Sequence, residues 1–383
     1  MKITHIHIER FRGFQNEDFE VGSLLTAIAG QNGTQKSTLL GIITQTFTLK
    51  TEDSMRVEKP LCGGSYISAF KDKFRLSPTF DKPKGHEWTI SFDAGMDDFT
   101  VESIKRTGDP NVRFWKKGAR QEGDGYISFP TIFLSLKRLV PVAEEAKIIT
   151  DDTLLTQEEL NEFKQLHNKI LIAQTPISSA TTITSKNKQS IGVSTELYDW
   201  NQNSMGQDNL GKIILALFSF KRLHDKYPRQ YKGGILAIDE MDATMYPASQ
   251  VELLKVLRKY ASKLNLQILF TTHSMSLLKA MDDLVQEVTK KEETANQAKI
   301  LYLKKVDDKI AIKQGVNFKG IQLDLNVVAE GNNRKKNRIT AYTEDKENIL
   351  FVKAILKSKA FVLDFVDVTL PCSTDRKSTR LNS

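Results

Sequence analysis

The segment with the clearest chemistry is a glycine-containing loop that follows the apolar run Leu24–Ala29, and it reads Gly30-Gln31-Asn32-Gly33-Thr34-Gln35-Lys36-Ser37-Thr38. Backbone amides at the start of a helix bind phosphate groups, and the helix dipole favours the negative charge. A lysine followed by a hydroxyl residue supplies an ammonium for the β- and γ-phosphates and a ligand for Mg²⁺. The loop therefore predicts a nucleotide site formed by Gly30, Asn32, Gly33, Thr34, Lys36, Ser37 and Thr38.

One position of this loop departs from the usual phosphate-binding pattern, because Gln35 stands where glycine normally precedes the lysine. Glycine allows backbone conformations that other residues adopt only with strain, and glutamine also adds bulk. We expect phosphate binding to persist because the amide donors and Lys36 remain. The sequence leaves open whether Gln35 slows hydrolysis or favours tight ATP binding.

A second segment supplies acidic groups, since the apolar run Gly234–Ile238 leads directly into Asp239 and Glu240. A buried strand that ends in two carboxylates suits phosphoryl chemistry. Asp239 is predicted to hold magnesium, together with Ser37, and Glu240 is predicted to orient or activate the attacking water. The alternative is an ordinary buried strand followed by a solvated acidic turn.

Two further segments complete the candidate site. Ser204-Met205-Gly206-Gln207 opens a predicted helix, where backbone amides can bind a γ-phosphate or the serine can serve as a simple N-cap. His273 follows the apolar run Leu266–Phe270, in a position from which its side chain can reach a γ-phosphate. Glu240 and His273 are therefore the predicted catalytic residues.

These segments, in this order, resemble the ABC-type ATPases of the branch that includes the SMC, RecF and OLD proteins. The segments Arg10–Phe14 (RFRGF) and Leu134–Pro141 (LSLKRLVP) are similar to the same branch. The resemblance covers about residues 1–320 and implies ATP and Mg²⁺ as ligands, bound in a homodimer or higher oligomer. It places Lys36 and Ser37 in the Walker A motif, Asp239 and Glu240 in Walker B, Ser204, Gly206 and Gln207 in the signature motif, Asp242 in the D-loop, and His273 in the switch position.

The elements that must position these residues alternate between strands and helices, which predicts an α/β fold with a largely parallel or mixed sheet. Short strand-like runs between about residues 50 and 130 predict an inserted β-rich lobe, within a β-rich and helical insertion that extends to about residue 200. The segment Ser178–Thr195 is rich in Ser, Thr and Lys and is predicted to be a loop. We assign residues 1–330 to the ATPase domain.

A new unit is predicted over residues 338–372, after the polar stretch Glu330–Asn337. Glu344 lies at a strand-to-helix junction that resembles the opening of a TOPRIM domain, which implies a metal-binding carboxylate. The alternative is an acidic residue that favours the first turn of a helix. Residues 373–383 look like a translated adapter, and we expect them to be a non-native tail on a chain truncated within its nuclease domain.

Bulk composition limits the classes of protein that fit. The chain has 383 residues, a net charge of +8 and two cysteines, which give neither a disulfide framework nor metal-ligand spacing. No apolar run is long enough to span a membrane, and a reducing cytoplasm is the expected location. The positive charge permits DNA binding without demonstrating it; Trp115, Lys116 and Lys117 could contact DNA or form a solvated basic turn.

Because OLD proteins join an ABC ATPase to a TOPRIM nuclease in this order, the resemblance implies an ATPase that gates DNA cleavage, in anti-phage defence or DNA processing. Two alternatives remain open. One is a regulatory ATPase without its own nuclease, acting on a separate effector protein. The other is a RecF-like repair ATPase that holds DNA without cutting it.

Overall fold

The computed structural model describes residues 1–66, 73–93, 95–105, 112–118, 125–139, 148–151, 154–185, 189–331, 339–343, 346–357, 360 and 363–367. The strands in these residues are Ile3–Phe11 (β1), Phe14–Glu20 (β2), Leu25–Gly30 (β3), Phe47–Thr48 (β4), Glu87–Phe92 (β5), Phe99–Lys105 (β6), Val112–Lys116 (β7), Ile127–Ser128 (β8), Thr131–Leu134 (β9), Ile149–Asp151 (β10), Ser179–Thr184 (β11), Gln189–Ser194 (β12), Gly234–Ile238 (β13), Leu266–Thr272 (β14), Ala298–Val306 (β15), Lys309–Lys313 (β16), Ile339–Thr343 (β17) and Leu363–Asp367 (β18). The α-helices are Lys36–Thr44 (α1), Gln157–Leu171 (α2), Met205–Lys226 (α3), Pro247–Lys263 (α4), Met275–Val288 (α5), Phe318–Gly331 (α6) and Lys346–Leu356 (α7). Contacts divide the chain into two compact units, residues 1–321 and 322–383.

The central sheet of the first unit has six strands in the order β16-β15-β3-β14-β13-β9. Its strands run parallel except for β16, which is antiparallel to β15. The prediction of an α/β fold with a mixed sheet is therefore confirmed. The carboxyl ends of parallel strands lie at one edge of a sheet, where ligands usually bind. The segments after β3, β9, β13 and β14 consequently meet at that edge.

A second, antiparallel sheet has the strand order β2-β1-β5-β6-β7. The described part of residues 50–130 contains strands, as predicted, and the first strand of this sheet from that region, β5, pairs directly with β1. Trp88 and Val101 are buried in the same hydrophobic cluster as Leu39 of α1 and Leu269 of β14. Pairing between strands so far apart in sequence leaves no local pattern, so the sequence could not show that β5 joins β1.

The predicted loop Ser178–Thr195 is corrected by the structure, since β11 and β12 form an antiparallel hairpin there. Although the segment is mostly polar, its apolar residues Ile183, Ile191 and Val193 are all buried. The β-branched threonines among the remaining residues favour extended backbone. Packing of β12 against α3 therefore decides the conformation of this segment.

Hydrogen bonds to the buried carboxylate of Asp81 join the β1–β2 turn to the antiparallel sheet. The Arg12 guanidinium donates two hydrogen bonds to Asp81, at 2.9 and 2.8 Å. Asp81 also lies 3.0 Å from His86 Nε2, and His86 Nδ1 lies 3.0 Å from the hydroxyl of Ser103. Burial alone would raise the pKa of Asp81, but hydrogen bonds from Arg12, the Ser77 amide and His86 outweigh it and lower the pKa to about 2. Ser103 is fully buried, so this Ser-His-Asp arrangement serves structure.

We expect Asp81→Asn to lower the free energy of unfolding by up to about 3 kcal/mol, because it removes the buried charge that accepts hydrogen bonds from Arg12, His86 and the Ser77 amide. The depressed pKa of Asp81 contributes stability that is complete above the unfolded-state pKa near 4 and is lost as pH falls towards 2. Urea unfolding of both proteins between pH 7 and pH 2.5 measures this. The exposed Asp98→Asn should change stability by less than about 0.5 kcal/mol, and an equally small change for Asp81→Asn would contradict the prediction.

The second unit contains a parallel pair, β17 and β18, with α7 between them in sequence. Ile339 pairs with Leu363 and Thr343 with Asp367. Two parallel strands with a helix between them in sequence form a β-α-β unit. The TOPRIM-like assignment stays a prediction. Glu344 and the expected non-native tail, residues 373–383, lie outside the described residues. Within the described chain, no helix is long and apolar enough to cross a membrane.

Candidate functional site

The phosphate-binding loop connects β3 to α1 at the carboxyl edge of the central sheet. Gly30 has φ +152°, and a Cβ on it would collide with the carbonyl of Leu303 on the neighbouring strand β15. Gly33 follows with φ +80°. The Thr34 hydroxyl donates to the carbonyl of Gln31 at 2.8 Å and so closes the loop on itself. Asn32 and Gly33 are exposed at the tip of the loop.

Gln35 adopts the left-handed conformation, with φ 61° and ψ 32°, at the N-cap of α1. This backbone is the reason that glycine usually occupies the position. The structure accommodates the glutamine side chain at Gly13, in the turn between β1 and β2, where a Cβ would lie 2.8 Å from Gln35 Nε2. The Oε1 atom of Gln35 is buried without a hydrogen-bond partner. The added bulk is thus absorbed by a second glycine far away in sequence.

We expect Gly13→Ala to lower the free energy of unfolding by about 1–3 kcal/mol, because overpacking a tight contact is destabilising. The new methyl would lie 2.7 Å from Ile310 Cγ1 and 2.8 Å from Gln35 Nε2. In a Gln35→Gly background one of these two contacts is gone, so the loss should be smaller. A double-mutant cycle by chemical denaturation measures this coupling. Equal effects of Gly13→Ala in both backgrounds would contradict it.

Lys36 lies folded against its own loop. Its Nζ donates to the carbonyls of Gly30, at 3.0 Å, and Gln31, at 2.9 Å. Burial lowers the pKa of Lys36, whereas the charges of Glu240, Asp239 and Asp242 raise it. The ammonium is therefore held close to the acidic end of β13, inside the loop that would surround a phosphate.

The two halves of the predicted site meet through a hydroxyl–carboxylate contact. The Ser37 hydroxyl, at the start of α1, donates to Asp239 Oδ1 at 2.8 Å. The Thr271 hydroxyl, on β14, donates to the same oxygen at 2.7 Å. Hydroxyl and carboxylate oxygens are the ligands that Mg²⁺ prefers, usually with several waters and substrate phosphates. The Ser37 hydroxyl and the Asp239 carboxylate offer such oxygens side by side. Among the described residues, no group of three or more acidic, histidine or cysteine side chains could hold a metal ion.

Glu240 is the next residue, and its backbone is left-handed, with φ 50°. Its amide donates to the Thr271 hydroxyl at 2.6 Å. Across the same edge, the amide of His273 donates to Asp242 Oδ1 at 3.4 Å. Burial and then the charge of Lys36 lower the pKa of His273, although Asp242, Glu240 and Asp239 oppose them. The His273 ring therefore favours its neutral form more than a free imidazole does.

The predicted signature residues form the start of α3. Ser204 and Gln207 make a capping box: the Ser204 hydroxyl accepts from the Gln207 amide, and the Gln207 side chain accepts from the Ser204 amide. A Cβ on Gly206 would lie 2.5 Å from the carbonyl of Thr244. The signature segment therefore packs on the residues just after Asp242. In the described part of the chain, the side-chain hydrogen bonds of Ser204 and Gln207 do not reach the phosphate-binding loop.

Three residues of the site were missed by sequence reasoning, namely Thr271, Arg138 and Asn209. Thr271 belongs to the TTHS segment beside His273, so its position was suggestive. Arg138 lies in LSLKRLVP, which was identified only as a resemblance. Its guanidinium is almost fully buried and contacts the backbone of Asp239 and Glu240. No spacing rule connects Arg138 with β13, because the contact crosses neighbouring strands.

One protein-family model matches part of this chain. Residues 135–278 match the family model described as an AAA ATPase domain. This range includes Arg138, the signature segment, Asp239, Glu240 and His273, whereas the phosphate-binding loop precedes it. None of the curated proteins is similar in sequence.

Among solved structures, the chain is similar to the SMC head domain from Thermotoga maritima, with 14% identity, TM-score 0.44, and coverage of 82% of this chain and 100% of that one. It is also similar to an SMC head bound to the C-terminal winged-helix domain of ScpA, with 14% identity, TM-score 0.49, and coverage of 84% and 100%. A third is the recombination mediator protein RecF with a bound ATP analogue, with 12% identity, TM-score 0.40, and coverage of 82% and 98%. Residues 135–278 thus match an AAA ATPase domain within an α/β fold, and they include the acidic half of the candidate site.

Proposed function

We propose that this protein is an ABC-type ATPase that binds ATP with Mg²⁺ and hydrolyses it. The observation that supports this most strongly is the contact of Ser37 with Asp239, which joins the phosphate-binding loop to the acidic end of β13. Lys36 and the loop amides would bind the phosphates. Mg²⁺, held by Ser37 and Asp239, would neutralise the developing phosphate charge.

Glu240 is the base in this proposal. A carboxylate beside the bound γ-phosphate accepts a proton from the attacking water and orients it. His273 follows β14 at the same edge of the sheet, from which its ring would hydrogen-bond to the γ-phosphate. Asp242 fixes the turn that carries His273 through its bond to the His273 amide.

The signature segment is proposed to act on ATP bound by a second copy of the chain. Within one copy it packs on the turn after Asp242, and large apolar side chains are exposed around it. Met205 is 42% exposed, Leu197 79%, and Tyr246 81%. Exposed apolar side chains near a polar ligand-binding edge are typical of an interface. A second copy that covers them would place Ser204, Gly206 and Gln207 over the other nucleotide.

A complementation experiment tests this composite site. Lys36→Ala impairs nucleotide binding, whereas Ser204→Arg blocks the signature segment, so neither homodimer should turn over ATP. A mixed dimer holds one site with an intact Lys36 from one chain and an intact Ser204 from the other. Recovery of phosphate release on mixing supports the sandwich. No recovery, with both variants folded and mixed dimers demonstrated by tagged pull-down, would rule it out.

The finer part of the proposal is that ATP turnover gates DNA cleavage, as in the OLD proteins, in anti-phage defence or DNA processing. It is supported by the resemblance at Glu344, by the parallel β17–β18 pair and by the net charge of +8. Incubation of the protein with supercoiled plasmid, ATP and Mg²⁺ or Mn²⁺ tests it, with Glu344→Ala as the control. ATP-dependent binding without nicking would favour the RecF-like alternative. Neither binding nor nicking would favour the regulatory ATPase.

A further inference from the structure

Arg138 is the most extensively buried cation near the candidate site. It follows β9, in the 3-10 turn Leu136–Leu139, and only 2% of its surface is exposed. Its Nη1 donates to the carbonyl of Asp239 at 2.5 Å, and its Nη2 donates to the carbonyl of Glu240 at 2.7 Å. A buried guanidinium is stable only when its donors are paired. Here the backbone of the two acidic residues supplies acceptors for it.

We infer that Arg138 positions the carboxylate of Glu240 and that Asn209 couples this position to the signature segment. The inference rests on the proposed function, because it assigns Glu240 as the base. It deepens that function by linking two parts of one chain: the signature segment, which would contact ATP bound by the second copy, and Glu240, which would act on ATP bound by its own copy.

The positioning half of the inference follows from the backbone of Glu240. A non-glycine residue with φ near +50° is strained by about 1–2 kcal/mol. Such a conformation persists only where its surroundings hold it. Arg138 holds the carbonyl side of Glu240, and the Thr271 hydroxyl holds the amide side at 2.6 Å. The direction in which the Glu240 side chain leaves the backbone therefore depends on Arg138.

The coupling half follows from Asn209, which is completely buried on α3. Its Oδ1 accepts from Arg138 Nε at 2.7 Å, and its Nδ2 donates to the carbonyl of Ala243 at 3.0 Å. The helix α3 begins at the signature segment and continues directly to Asn209. A shift of the signature segment against a second copy would therefore move Asn209, Arg138 and the Glu240 backbone together.

We call the connection from Asn209 through Arg138 to the Glu240 backbone the relay. Its hydrogen bonds require arginine at position 138. Burial lowers the pKa of Arg138 to about 10, although the charges of Asp239, Glu240 and Asp242 oppose the decrease, so the group stays charged at neutral pH. Its planar fork donates at once to Asn209 on α3, to the carbonyls of Leu134 and Ser135, and to the carbonyls of Asp239 and Glu240 after β13. Lysine carries the charge as a single point and cannot reproduce this geometry. Arg138→Lys therefore separates the presence of a cation from the positioning of Glu240.

The first test compares Arg138→Lys with the wild-type protein in ATP affinity, kcat and melting temperature. We expect kcat to fall by about 10- to 100-fold, because small displacements of a catalytic group have effects of that size. The ATP Kd should stay within about threefold, since Lys36 and the loop are untouched. The matched control is Arg222→Lys, on the same helix as Asn209, whose guanidinium pairs with Glu159 away from the site. Its kcat should not change.

The second test uses Asn209→Ala, which keeps Arg138 and remains informative if Arg138→Lys fails to fold. It should lower kcat and reduce the Hill coefficient for ATP, with ATP affinity retained. If the two residues act in one relay, the Arg138→Lys, Asn209→Ala double variant should lose less than the product of the single losses.

Independent, multiplicative losses would overturn the relay, as would an unchanged kcat in folded Arg138→Lys or an unchanged Hill coefficient in Asn209→Ala. Absence of ATPase activity in the wild-type protein would instead refute the proposed function. The two failures are therefore distinguishable.

Discussion

Glu240→Gln is expected to reduce ATP turnover by at least about 100-fold, because general base catalysis contributes factors of about 10² to 10⁴. The amide has nearly the shape of the carboxylate but cannot accept a proton from water. The contacts that hold this residue use its backbone carbonyl and amide, so the substitution leaves them intact. Steady-state phosphate release measures the loss, and fluorescent ATP binding should show unchanged or tighter affinity.

If two copies of the chain enclose ATP, Glu240→Gln should also change the oligomeric state. The dimer should persist because its bound ATP is hydrolysed only slowly. Size-exclusion chromatography with light scattering should detect a Glu240→Gln dimer in ATP and Mg²⁺ but not in ADP. The matched control is Glu293→Gln, which removes an exposed carboxylate in the turn Glu292–Thr294. Turnover within about twofold of wild type in Glu240→Gln would exclude this residue as the base.

Lys36→Ala is expected to weaken ATP binding by about 10- to 100-fold, since charge-assisted hydrogen bonds contribute about 1.5–3 kcal/mol. The ammonium already points into the loop, where it donates to the carbonyls of Gly30 and Gln31. A bound phosphate would take over these donors. Isothermal titration with ATP measures the affinity directly, and hydrolysis should be lost at ordinary ATP concentrations.

Lys36→Ala and Glu240→Gln therefore differ in kind, because the first impairs binding and the second impairs only the chemical step. Lys259→Ala is the control for Lys36, since it removes an exposed cation on α4 and leaves the loop unchanged. A normal Kd in Lys36→Ala, with a normal melting temperature, would contradict the assignment of the phosphate-binding loop.

The local parts of the site could be predicted from the sequence because each is encoded by neighbouring residues. An apolar run followed by a glycine-containing loop and a Lys-Ser pair is visible within one short window, and so is an apolar run that ends in two acids. The apolar runs Gly234–Ile238 and Leu266–Phe270 likewise correspond to β13 and β14, and the helix predicted at Ser204–Gln207 corresponds to α3. The parallel arrangement followed from the alternation of strands and helices, and it brings Ser37 into contact with Asp239.

Contacts between distant segments could not be predicted in this way. In the sequence, glutamine in place of glycine at position 35 only indicated a side chain too large for the loop. The structure places that side chain at Gly13, in the turn between β1 and β2. The sequence had connected this turn with the loop only through the family resemblance. The pairing of β5 with β1 joined the expected lobe to the core. The hairpin of β11 and β12 appeared within a polar segment because α3 buries its apolar side.

By itself, the sequence determined which residues can bind phosphate, hold magnesium and accept a proton, since these properties belong to side-chain type and local backbone. Only the tertiary structure decided how the residues are held. Arg138 and Asn209 carry no recognisable spacing, but the parallel sheet places the turn after β9 beside the end of β13. Asn209 of α3 then bonds to Arg138 and to the carbonyl of Ala243. Burial then makes their hydrogen bonds obligatory, because an unpaired guanidinium or amide in that interior would be strongly destabilising.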